Sequence, residues 1–144
     1  MMHASLIPLR AFSDDRGLLV AGQYPDELPF IPVRTFIVSQ GPAGIERGGH
    51  AHRRSHQVLI AVSGRVHVEW DDALGTQEIV LISPIEGLHI PPLVWARQIY
   101  LDTGSTLVVL ASHTYDGEDY IDDRGHAALL RNETAQVGRN EAPT

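Results

Sequence analysis

Neither cysteine nor lysine occurs anywhere in the 144 residues. Without cysteine there is no disulfide, no thiolate nucleophile and no cysteine-ligated zinc, and a reducing cytoplasm is the expected setting. Without lysine there is no Schiff-base chemistry and no phosphate-loop lysine; all eleven basic residues are arginine. Nowhere do about eighteen apolar residues follow one another, and the stretch 1–8 lacks a basic segment leading into an apolar run, so neither a membrane span nor an export signal is expected. The formal net charge is −7 with no basic block, which argues against nucleic acid, whose binding is dominated by phosphate neutralisation. The acidic excess reads as solubility, and it leaves room for a small anionic ligand where arginines gather locally.

What is present reads as strands. A chain of this length suits one domain that buries roughly two-thirds of its unfolded surface. Val33–Ser39 and Gln57–Val62 are rich in β-branched residues. Arg65–Trp70 alternates, with Val66, Val68 and Trp70 on one face and Arg65, His67 and Glu69 on the other. Ser63-Gly64, Asp71–Gly75 and Asp102–Gly104 are turns, and Thr76–Ile82 and Thr106–Ala111 follow as strands. Pro84–Pro92 holds three prolines, which cannot donate into a central ladder, and predicts a turn with a short edge. Such spacing predicts an all-β antiparallel sandwich or barrel of jelly-roll type. A short helix is expected near Asp123–Arg131, closing a domain over 1–131, and the polar, aperiodic 132–144 reads as a loose, disordered tail.

The densest chemistry lies at Arg47-Gly48-Gly49-His50-Ala51-His52-Arg53-Arg54-Ser55-His56-Gln57. Residues two apart in a strand share a face, so His50 and His52 project together while Ala51 points away. The paired glycines permit a bulge or a close backbone approach, and the arginines offer fixed donors to phosphate oxygens. Three roles compete for the histidine pair. Imidazole titrates near neutrality and suits proton transfer; His-x-His with His56 four residues on also resembles a metal-site spacing; a structural role is the third. Metal ligation is the weaker because the later strand offers Ala96 where a further histidine is expected. His3, His67 and His126 read as structural.

From these residues the chain resembles, over nearly its whole length, the cupin-type dTDP-4-dehydro-6-deoxyglucose 3,4-ketoisomerases, the WxcM-like or FdtA-like sugar ketoisomerases. The resemblance rests on Ile7-Pro8, Asp15-Arg16-Gly17-Leu18, Pro29-Phe30, Arg34-Thr35-Phe36, Arg47–Arg53, Gln57–Ile60, Gly87–Pro92 with Trp95, Val109–Ser112, Tyr115-Asp116 and Asp119-Tyr120-Ile121. It implies a cupin, a small double-stranded β-helix or jelly-roll barrel. It also implies an isomerase that needs no metal or cofactor and works on a dTDP-4-keto-6-deoxyhexose in deoxysugar biosynthesis as a homodimer exchanging N-terminal strands. By the same resemblance His52 carries the proton, His50 assists, and Arg47 binds or orients the ligand. Arg34, Arg53 and Arg97 are candidate phosphate partners, and Trp95, Tyr100 and His89 candidate linings of the sugar site. Two positions differ from many members: Ile37 stands where they have tyrosine and Ala96 where they have histidine, and Tyr100 or His89 is the expected replacement. The rival readings are a nucleotide-sugar 3,5-epimerase-like cupin and a non-catalytic sugar-nucleotide-binding cupin.

Overall fold

The computed structural model describes residues 3–140. The strands are β1 (Ser5–Pro8), β2 (Arg10–Asp14), β3 (Gly17–Ala21), β4 (Arg34–Val38), β5 (Ile45–His52) and β6 (Gln57–Ser63). They continue as β7 (Val66–Asp72), β8 (Gly75–Leu81), β9 (Glu86–Ile90), β10 (Trp95–Tyr100), β11 (Thr106–Ala111) and β12 (Tyr120–Ile121). One helix follows, α1 (Arg124–Asn140). Among the described residues no helix is long and apolar enough to cross a membrane.

The expected cupin barrel is corrected by the pairing. One five-stranded sheet runs β1-β9-β6-β11-β4, a second runs β12-β5-β10-β7-β8, and β2-β3 is a separate two-stranded ribbon. No sheet closes into a barrel: β1, β4, β12 and β8 each pair on one side only. Alternation along a strand reports which face is buried but not which strand lies beside an edge, so the local pattern fits open and closed sheets alike.

Both five-stranded sheets contribute to one core. Leu59, Ala61, Leu88, Ile90, Leu107 and Val109 of the first sheet meet Val66, Val68, Trp70, Leu81, Ala96 and Tyr100 of the second. In β7 the alternation is as the sequence predicts, with Val66, Val68 and Trp70 inward. Each fully buried Val or Leu contributes about 1.5–3 kcal/mol relative to exposure, so this layer is the main source of cohesion. The segment expected to form an edge is instead an inner strand: β9 lies between β1 and β6. Pro84, Pro91 and Pro92 all fall outside its span, so the ladder is not interrupted.

The helix is longer than the expected 123–131. It begins at Asp123, whose Oδ1 accepts from the His126 N–H at 2.6 Å, and continues through Asn132–Asn140; positions 141–144 of the expected tail lie outside the described residues. Arg124 pins its first turn to the outer face of the second sheet, bonding Glu69 and Asp71 and lying 4.4 Å over the Trp95 ring. Ala127 buries itself against Ala51, Leu93, Trp95 and Ile121.

On the outer face of the first sheet, Leu28 and Phe30 cover Val58. Beneath Phe30 the His56 and His89 rings lie 10° from parallel, centroids 5.2 Å apart, with Nδ1 of His56 3.0 Å from Nε2 of His89. The nitrogens therefore point at each other and share one proton. Burial first, and then His56 and His3, push His89 down to about 4. An unfolded His89 takes up a proton near 6.5, which the folded one refuses until about 4, so its contribution to stability is present above 6.5 and lost as pH falls through that window. The His89→Gln variant is expected to show a flatter loss of stability between those pH values, read by denaturant unfolding at a series of pH values; an unchanged acid slope would contradict this assignment.

Candidate functional site

The site is set by a bulge in β5. Ala96 of β10 faces His50, yet the next residue, Arg97, faces Gly48, so Gly49 is an extra residue on the β5 side. Gly48 and Gly49 both have φ +80°, the left-handed region that glycine enters without a steric penalty. Ala51 packs outward under α1, which turns His50 and His52 to the inner face. In an uninterrupted strand Arg47 would share the face of Ala51. The extra residue reverses the alternation, so Arg47 enters the same cavity as His50.

That cavity, of about 270 Å³, is lined by Arg34, Phe36 and Ile37 of β4, Arg47 and His50 of β5, Gln57 and Leu59 of β6, Gln98 and Tyr100 of β10, and Tyr120 of β12. Directly beside His50 sits His52, only 6% exposed, the two rings edge to face with centroids 5.0 Å apart. Burial is the main cause that pushes His52 down to about 4; His50 and Arg34 push the same way and Asp119 opposes them. Burial also lowers His50, against the pull of Asp122 and of a Gly48 backbone hydrogen bond. Near neutral pH two uncharged imidazoles therefore stand together, His50 in the cavity wall and His52 buried beside it, each with one acceptor nitrogen and one donor.

The arginines supply the opposite character. Among the described residues neither Arg34 nor Arg47 has a carboxylate within ion-pair distance, whereas Arg10, Arg16, Arg54, Arg65, Arg97 and Arg124 all do. Arg34 lies over Phe36 at 4.6 Å and over Tyr115 at 5.3 Å, which fixes the guanidinium plane while leaving its edge free. Two unneutralised guanidiniums in one cavity of an acidic protein favour an anion there. Burial raises the Tyr100 phenol above its usual value, with Arg47 opposing, so it enters the cavity as a hydrogen-bond donor.

The residues singled out from the sequence therefore divide. His50, His52, Arg47, Arg34 and Tyr100 come together. Trp95 does not: it has the opposite parity to Ala96, Gln98 and Tyr100 in β10, and it packs outward with its Nε1 donating to the Asp122 carbonyl at 3.1 Å. Nor does His89, because Leu88 and Ile90 on either side of it point into the core and send it to the outer face. Arg97 also points outward, between Glu46 and Glu69, and Arg53 is exposed on the loop after β5. His56, the third histidine of the metal-like spacing, is held by His89, and among the described residues no three metal-ligating side chains converge. Ala96 is buried opposite His50, and Ile37, 65% exposed, stands at the rim. Gln57, Gln98 and Tyr120 were not singled out. Gln57 heads the β6 alternation whose Leu59 and Ala61 face the core, and Gln98 shares the parity of Tyr100, so both were legible once the strands were paired.

A side chain on Gly48 would meet the Gln98 amide at 2.6 Å, whereas one on Gly104, also at positive φ, would meet nothing within 4 Å. Gly104→Ala should therefore cost only the backbone term of about 1–2 kcal/mol, and Gly48→Ala measurably more. Thermal unfolding of the pair checks this; equal losses would show that Gln98 moves aside freely.

The family described as FdtA: WxcM-like, C-terminal, matches residues 2–130. A TDP-4-oxo-6-deoxy-alpha-D-glucose-3,4-oxoisomerase of Aneurinibacillus thermoaerophilus is 36% identical over 120 residues, which cover 83% of this chain and 86% of the relative. A 3,4-ketoisomerase from Helicobacter canadensis superimposes with a TM-score of 0.84 at 30% identity, covering 92% of this chain and 99% of the other. A mutant of the 3,4-ketoisomerase QdtA from Thermoanaerobacterium thermosaccharolyticum, solved with TDP-4-keto-6-deoxyglucose, gives 0.86 at 30% identity, covering 92% and 96%. With a match that spans the strands, the bulge and the paired histidines together, the chain belongs to the FdtA family of WxcM-like, C-terminal type.

Proposed function

We propose that this enzyme is a sugar-nucleotide 3,4-ketoisomerase that moves the ketone of a dTDP-4-keto-6-deoxyhexose from C4 to C3 in deoxysugar biosynthesis, with His52 as the proton carrier. The observation that carries the reading is the pair of uncharged imidazoles, half-buried His50 in the wall of a cavity that also holds two unpaired arginines and buried His52 directly beside it. A C–H bond beside a ketone is acidified because its conjugate base is an enolate. His52 takes the C3 proton, and its electron pair forms the C3–C4 double bond while negative charge moves onto the C4 oxygen. Returning a proton to C4 and moving the hydroxyl proton from the C3 oxygen to the C4 oxygen completes an isomerisation with no net loss or gain. His50, with one donor and one acceptor nitrogen, suits that second transfer. Arg47 and the Tyr100 hydroxyl are donors for the developing oxyanion, and Arg34 is a partner for the diphosphate, whose remote binding holds the ring in register. No cofactor enters this scheme.

Incubation of dTDP-4-keto-6-deoxyglucose with the protein in heavy water, followed by NMR, is expected to give a 3-keto product, any deuterium that enters being confined to C4. His52→Asn should lower turnover by about 10²–10⁴-fold while nucleotide binding persists. Turnover should hold from neutral pH down toward about 4, where His52 takes up its proton. Deuterium at C3 and C5 with the ketone still at C4 would identify an epimerase, and an unchanged sugar at high enzyme concentration would leave a binding protein.

The same reading places the protein in the reducing cytoplasm as a homodimer that exchanges N-terminal strands. Its support is the β2-β3 ribbon, which stands apart from both sheets with Phe12 61%, Leu18 50% and Leu19 59% exposed. An apolar trough on the outer face of the first sheet, between Leu9, Val20, Ile60, Val62 and Leu110, is of matching character. Light scattering should find a dimer for the wild type and a shift toward monomer for Leu19→Asp; a monomeric wild type would reject the pairing.

A further inference from the structure

The shortest strand in the fold holds a side chain against both imidazoles. β12 contains only Tyr120 and Ile121, and Tyr120 lies directly opposite His52 across the β5 ladder, so the two share a face. The Tyr120 ring centroid is 4.6 Å from that of His52 and 4.7 Å from that of His50, while the imidazoles are 5.0 Å from one another. The three rings form a closed triangle, and Tyr115 backs Tyr120 at 5.8 Å.

This placement is fixed from both sides. Before it, the buried Asp119 carboxylate accepts from the backbone N–H groups of Arg54 at 2.8 Å and Ser55 at 3.2 Å, and its carbonyl accepts from Arg53. After it, Ile121 is locked among Ala51, Trp95 and Ala127, and the Asp122 carbonyl accepts from Trp95. Alternation then leaves Tyr120 no direction but inward. Tyr120 lines the cavity, whereas His52 beside it does not.

We propose that Tyr120 is a shielding and positioning residue: its ring keeps water from the imidazoles of His52 and His50, so that the hydrogen His52 removes from C3 is the one it returns to C4. This rests on the isomerase reading above. In the shielded step the C3–H bond breaks, the proton stays on one His52 nitrogen while the enediolate lives, and the same nitrogen delivers it to C4. An imidazolium open to solvent would trade that proton for one from water first. The groups that face His52 are His50, Asp119, Arg34 and Tyr120; Asp119 and Arg34 carry charge, His50 is the second imidazole, and Tyr120 is the cover.

Deuterium at C4 measures the shield, because internal return excludes solvent label. In heavy water the wild type is expected to give a 3-keto product with well below full labelling at C4. Tyr120→Ala should raise that labelling about threefold or more, and Tyr120→Leu should raise it less. Tyr120→Phe, which keeps the ring, should restore the low wild-type labelling. NMR titration of the His52 imidazole gives a readout independent of turnover: it should move from about 4 toward the ordinary 6.5 in the Ala variant but stay low in the Phe variant. Circular dichroism screens each variant for folding, and the Leu variant stands in if the Ala variant does not fold. Complete labelling by the wild type, equal labelling in the wild type and the Ala variant, or a Phe variant that behaves like Ala would each overturn the proposal. If the wild type makes no 3-keto sugar, the isomerase reading fails first, and the titration alone still decides whether Tyr120 covers His52.

Discussion

One extra residue in one strand decides what the cavity contains. The pairing of β5 with β10 is regular from Ile45 to Gly48 and again at His50, and Gly49 is accommodated between. Because a strand alternates with period two, that insertion puts Arg47 and His50, three apart in sequence, on one face. The bulge needs two consecutive residues at positive φ, and a side chain on the first of them would have to push the Gln98 amide aside. Without it, Arg47 would point outward beneath α1, and the cavity would keep its imidazoles but lose one of its two free cations.

The rest of the architecture serves to make those imidazoles uncharged. His52 lies between two sheets that share a core, with Tyr120 against it, and burial outweighs the nearby Asp119 carboxylate in setting its proton affinity. A base that stays neutral through the physiological range is ready to accept a proton without first losing one. The charges are divided accordingly. Outside the second sheet, Glu46, Glu69 and Asp71 are consumed by Arg97 and by Arg124, which fastens the helix, while the arginines inside the cavity are left without acidic partners. An acidic chain thus carries a locally cationic site.

Period-two alternation made much of this legible in advance. Val66, Val68 and Trp70 could be assigned inward, and His50 and His52 to one face, from nothing more than spacing. The same rule does not reach Trp95 and His89, because their parity is not anchored. The sequence does not pair their strands, and an aromatic or a histidine near a proline-rich turn looks equally apt for lining a site or for packing outside it. The helix boundary was hidden for a different reason, since 132–140 is polar, exposed along its whole length and offers no apolar period to extend.

By itself the sequence determined that strands dominate, that thiol and lysine chemistry are absent, that two histidines share a face, and that the chain resembles the sugar ketoisomerases. Only the tertiary structure decided that the sheets stay open rather than closing into a barrel, that Gly49 turns Arg47 inward, that His56 is spent on His89, and that Tyr120 lies over the imidazole pair. The reason is the range of the interactions. Alternation, turns and glycine conformation are fixed within a few neighbouring residues, whereas which edges stay unpaired and which rings touch depend on contacts between residues far apart in the chain, and no local pattern encodes these.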